Sequence, residues 1–250
     1  MTASTNETKK RILLVDDEPF ILGVMKSFLE GSDFEIESAA CGNDALTLIK
    51  EKDYSCVVTD VRMPNGTGPQ LMAAVREMNR VSPSIVFVTG YSDVPPEDLL
   101  SRGGDSYIMK PFNVEDFSRE VRRMTKPLDA RLAERPASYE ALRCINMRGG
   151  TMLAKGGGDD IQLGRGGFFT VTPLEGLRTT QHLRFAIEVK GGDPIKGCGR
   201  ILWTRRQSSI NPLRAGAGIL IEYLENDSRD RYLEFVAKAS PVETIPKDIV

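Results

Sequence analysis

Two adjacent carboxylates, Asp16 and Asp17, close the apolar run Ile12-Leu13-Leu14-Val15, and three further polar groups, Asp60, Thr89 and Lys110, each close a short β-favouring run elsewhere. Adjacent carboxylates just past a buried strand repel each other and find no counter-ion in the strand end, so stability does not explain them. A divalent cation does. Hard oxygen donors of this kind suit Mg²⁺, which keeps several waters and takes one or two carboxylates plus phosphate oxygens. A carboxylate can attack a phosphoryl group provided that a cation and an ammonium offset the crowded negative charge. Lys110 supplies the ammonium and Thr89 a hydroxyl.

These residues are spread over about a hundred positions, and a doubly wound α/β sheet is the architecture that gathers them, because the carboxyl ends of its strands converge on one crevice. The first half of the chain reads that way. Runs 11–15, 35–39, 56–60, 84–89 and 106–109 are short, mostly β-favouring and bounded by Gly, Pro, Asp or Asn. Helical spacing fills the intervals. After Pro19, Ile21, Leu22, Met25, Phe28 and Leu29 share a face, as do Ala45, Leu48 and Ile49 within 42–52. Leu71, Ala74, Val75 and Met78 repeat the pattern in 69–79, and Val114, Phe117, Val121 and Met124 do so up to Lys126. Between the fourth and fifth strands, Pro95-Pro96 and Gly103-Gly104 leave room for about two helical turns. Taken singly, each polar residue has an ordinary role: Asp17 as a cap, Asp60 as the opening of a turn, Thr89 as a strand end, Lys110 as a solvated charge. Their joint occurrence at four strand ends points to a phosphorylatable site.

In identity, order and strand position these five elements resemble the receiver domain of two-component response regulators, over residues 9–126. The resemblance implies Asp60 as phospho-acceptor and Asp16 and Asp17 as the acidic pocket for Mg²⁺, with Asp60 and the backbone carbonyl of Arg62 as further ligands. It also implies Thr89 and Lys110 as phosphoryl contacts, Tyr107 as the switch aromatic and a cis Lys110-Pro111 bond. A histidine kinase or phosphotransfer protein would be the donor, and the chain would not be a metabolic enzyme.

Composition sets the remaining bounds. At 250 residues there is room for two domains, no apolar run reaches membrane-span length, and residues 1–8 read as a disordered lead-in without the apolar core of a signal peptide. A cytoplasmic location is expected. Cys41, Cys56, Cys144 and Cys198 show no CxxC pairing, which favours buried thiols over disulfides or zinc. His182, the only histidine, supplies no catalytic pair and reads as a surface or edge residue. Residues 1–126 carry 15 basic and 20 acidic side chains and residues 127–250 carry 18 and 15, too slight a basic excess to argue for nucleic acid.

Residues 127–148 read as a partly helical linker, with Ser138 as a helix cap, and from 149 the texture turns to β. Runs 151–155, 168–171, 185–190, 199–204 and 216–223 are separated by glycine-rich turns, and Asn226-Asp227-Ser228 can cap a helix bearing Tyr232, Leu233, Phe235, Val236 and Ala239. About six strands followed by one helix are similar to a PilZ-type β-barrel, expected over 149–240 with a tail at 241–250. That family often binds cyclic di-GMP through an RxxxR and a (D/N)xSxxG loop. Arg131 and Arg135 satisfy the first, whereas the second reads Gln162-Leu163-Gly164-Arg165-Gly166-Gly167, with only Gly167 in place. Gly164 has no side chain where a serine would hydrogen-bond the ligand, and losing such a bond costs on the order of 1–3 kcal/mol. This favours a barrel acting on a downstream protein, with an integrator that also binds cyclic di-GMP as the alternative. No helix-turn-helix pattern argues for DNA, and the sequence leaves room for a homodimer.

Overall fold

The computed structural model describes residues 9–31, 33–90, 94–151, 161–171, 178–189, 192–206 and 215–246. The chain divides into two compact units, one of residues 1–94 and 106–126 and one of residues 95–105 and 127–250. The lead-in expected at 1–8 and most of the run expected at 151–155 lie outside the described residues.

In the first unit, β1 (Lys10–Val15), β2 (Phe34–Ala39), β3 (Cys56–Asp60), β4 (Ser84–Thr89) and β5 (Ser106–Met109) form a parallel sheet of order β2-β1-β3-β4-β5. Every residue of β3 and β4 is buried, which explains why these strands read as continuous rather than alternating apolar runs. Helices α1 (Pro19–Phe28), α2 (Gly42–Glu51), α3 (Gly68–Met78) and α5 (Val114–Met124) match the helical spacings of the sequence to within a residue or two. Ile12, Leu14, Val58, Val86 and Val88 pack on one side of the sheet with Met25, Leu29, Phe117, Val121 and Met124. The order reverses between β1 and β3, and both strands end in the acids singled out above.

In the second unit, α4 (Pro96–Ser101) is the two-turn helix expected between β4 and β5. Two helices follow the sheet's last helix and flank a barrel: α6 (Leu128–Ala133) before it and α7 (Asn226–Ala239) after it. Strands β6 (Cys144–Thr151), β7 (Ile161–Leu163), β8 (Gly167–Thr170), β9 (His182–Val189), β10 (Ile195–Arg205) and β11 (Gly216–Leu224) close in the order β10-β11-β8-β7-β6-β9. Closure removes sheet edges. Phe168, Phe185, Ile187, Ile201 and Ile219 fill a core shared with Leu132, Tyr232, Phe235 and Val236 of the helices.

Several expectations need correction. The barrel begins at Cys144 rather than 149, because the chain pairs with β9 as soon as Cys144 faces Arg184. Ser138 caps no helix: residues 139–141 form a single 3-10 turn, and Ser138 itself has α-region angles and makes no capping bond. At α7 the N-cap position is Glu225, and the Ser228 hydroxyl instead accepts the Lys196 N–H at 2.9 Å. Cys41, Cys56 and Cys198 are buried free thiols as expected, whereas Cys144 is exposed.

Candidate functional site

The parallel sheet delivers Asp16 from the end of β1, Asp60 from the end of β3, Thr89 from the end of β4 and Lys110 from just past β5. Lys110 joins three of these ends. Its Nζ lies 2.6 Å from Asp60 Oδ1 and 3.4 Å from Asp16 Oδ2. The remaining carboxylate oxygens meet backbone: Asp60 Oδ2 accepts the Arg62 N–H at 2.7 Å, and Asp16 Oδ1 accepts the Glu18 N–H at 2.9 Å. The Lys110 N–H donates to Thr89 O at 2.8 Å, fixing the lysine beside β4, and the Lys110-Pro111 bond is cis.

Electrostatics follows from this packing. Asp16 is only 1% exposed, and burial pushes its carboxyl above the ordinary range, with the Asp60 charge adding to the rise while the Glu18 N–H and Lys110 oppose it. Burial alone would lower the Lys110 ammonium. Its hydrogen bond to Asp60 and the charges of Asp60 and Asp16 outweigh that and raise it.

The other expected residues are placed less tightly. Thr89 is buried, with its hydroxyl 3.2 Å from Gly90 O, and Tyr107 is half-buried in β5 opposite Phe87. Asp17 is exposed, so the buried acids at the site are a pair bridged by an ammonium. Among the described residues, no group of three or more His, Cys, Asp or Glu is arranged to hold a metal ion by itself. The oxygen donors that are present, on Asp16 and Asp60, are nonetheless hard and closely placed, the donor type that suits Mg²⁺. The sequence reading missed Gly68. A Cβ there would run into the carbonyl of Asp60, so the end of β3 and the start of α3 approach more closely than any side chain allows.

In the second unit, the four residues of the expected nucleotide signature have other occupations. The exposed Arg135 pairs with Glu140 and lies 4.8 Å over the Tyr139 ring. Arg131 is half-buried on α6, where its charge reaches the buried Tyr232 hydroxyl. Gln162 belongs to β7, paired with Phe169, and Gly167 opens β8. The residue missed here is Arg165. It is 1% exposed and its Nη1 lies 2.6 Å from Asp105 Oδ1 within the same unit.

Comparison with known proteins finds its matches in the first half of the chain. Residues 12–122 match the response regulator receiver domain family, and this segment is such a receiver domain. Among curated relatives, the transcriptional regulatory protein SrrA of Staphylococcus aureus is 31% identical over 115 residues, covering 46% of this chain and 47% of that protein. The chain thus spans about half the length of the curated relatives it matches. Similar solved structures include the chemotaxis response regulator CheY4 of Vibrio cholerae, with 27% identity, a TM-score of 0.42 and coverage of 47% of this chain and 99% of that one. Another is a CheY-like receiver domain protein of Methanospirillum hungatei, with 31% identity, a TM-score of 0.44 and coverage of 46% and 93%. Among the described residues no helix is long and apolar enough to cross a membrane.

Proposed function

We propose that this chain is a response regulator in which phosphorylation of Asp60 switches a PilZ-like β domain that acts on a downstream protein. The observation that carries the reading is the Lys110 ammonium bridging Asp60 and Asp16 across three strand ends, at 2.6 and 3.4 Å. A histidine kinase or phosphotransfer protein is the donor. The Asp60 carboxylate attacks phosphorus, a P–O bond forms as the P–N bond of the donor phosphohistidine breaks, and the imidazole leaves with the bonding pair. Lys110 neutralises charge on the transferred group, and Thr89 offers it a hydroxyl. Asp16, Asp17, Asp60 and the Arg62 carbonyl would hold Mg²⁺, which supplies charge neutralisation for transfer when bound. Phosphorylation adds about −1.5 to −2 charge, which draws Thr89 inward and lets Tyr107 follow.

The test uses beryllofluoride with Mg²⁺ as a phosphoryl analogue, read by amide NMR. Shifts are expected around Asp60, Thr89 and Lys110 in the wild type and none in Asp60→Asn; an equal response in both overturns the reading.

The second reading, an integrator that also binds cyclic di-GMP, draws support from Arg131 and Arg135 and is weakened by the engagement of Arg135 with Glu140 and Tyr139. Action on DNA has less support, since the described strands of the second unit form a closed barrel.

A further inference from the structure

Gly164, Arg165 and Gly166 join β7 to Gly167, the first residue of β8, and residues 241–246, which follow α7, run across this turn. Arg165 N–H donates to Glu243 O at 2.8 Å and Gly166 N–H to Thr244 O at 3.0 Å, while Arg165 Nη2 lies 3.0 Å from Thr244 Oγ1. From the core side, the Tyr232 hydroxyl donates to Gly164 O at 2.6 Å. Thr244 and Ile245 are 2% and 0% exposed, so this crossing is packed as tightly as the barrel interior. A Cβ on Gly164 would sit 2.5 Å from Thr244 O and 2.7 Å from both Glu243 O and Pro246 Cδ.

Consecutive N–H groups in a glycine-rich turn beside a guanidinium are the parts of an anion cradle. Here the carbonyl and hydroxyl oxygens of residues 243 and 244 fill that role, and Asp105 and the Gly103 carbonyl also engage the Arg165 guanidinium. We propose that residues 241–246 are a strap, the internal occupant of the 164–167 loop, and that the loop admits no outside anion while the strap is seated. On this account the glycine at 164 is required by the strap, since a serine in that place would collide with the Thr244 carbonyl. The inference is independent of phosphorylation at Asp60.

Amide hydrogen exchange of the full chain tests it. In Gly164→Ser, amides of 164–167 and 242–245 are expected to exchange at least about tenfold faster together, the scale of one lost hydrogen bond, with β10 and β11 unchanged. Strap amides as protected as in the wild type overturn the proposal. Should Gly164→Ser fail to fold, Thr244→Val decides: it keeps the shape and removes the hydroxyl, and faster exchange at Arg165 and Gly166 is expected, while none overturns it. Calorimetry with cyclic di-GMP as probe supplies the exclusion arm. The wild type is expected to give no heat at high micromolar ligand; heat with the strap amides still protected overturns the proposal.

Discussion

Asp16 is where chemistry and stability oppose each other. Its carboxyl is raised by burial, so folding favours the protonated form. The stability this contributes is fully present below the ordinary carboxylate value and is lost as pH rises through the raised value, leaving an ionised Asp16 as a cost at neutral pH. Asp16→Asn should therefore stabilise the protein at pH 7 without Mg²⁺, by on the order of 1 kcal/mol, and the gain should vanish toward pH 3. Urea titrations at the two pH values check this. A stabilised variant that also loses its beryllofluoride response would mark Asp16 as kept for function. Asp16, Asp60, Thr89 and Lys110 were legible in sequence because each closes an apolar run at a strand end. Arg165 was not, since an arginine in a glycine-rich turn gives no sign that residues 105 and 244 will bury it.

At the scale of elements, α3 follows the loop after Asp60 and its start is fixed by a reciprocal pair: Gln70 N–H donates to Thr67 Oγ1 and Thr67 N–H to Gln70 Oε1. Thr67→Ala should cost about 1 kcal/mol in chemical unfolding, whereas Thr67→Ser should cost less than half of that. Gly68→Ala should cost more, since its methyl meets the Asp60 carbonyl and shifts Asp60 itself. Its beryllofluoride response should weaken where that of Thr67→Ala survives. The elements of the first unit were legible because strands buried on both faces and helices with one apolar stripe carry strong local patterns. In the second unit local signals competed with distant ones. The three residues of β7 become a strand through Phe168, Phe169 and Thr170 on one side and β6 on the other, and Ser228 turns away from its helix to meet Lys196.

At the scale of the molecule, the two units are not consecutive halves, since the second includes residues 95–105 between strands β4 and β5 of the first. The Arg165–Asp105 pair belongs to that second unit, and both side chains are only 2% exposed. Ions buried so deeply contribute little net stability as a pair, because desolvation offsets their attraction, yet removing one partner strands the other at about 3–5 kcal/mol. Asp105→Ala should accordingly destabilise the second unit by about 3 kcal/mol. Trp203, the single tryptophan, is buried in β10, so its fluorescence reports unfolding of that unit in urea. Adding Arg165→Met to Asp105→Ala should recover most of the loss, since no uncompensated charge then remains in the interior. A double variant as unstable as the sum of its parts would show that Arg165 matters for holding Thr244 and Gly103 rather than for its charge.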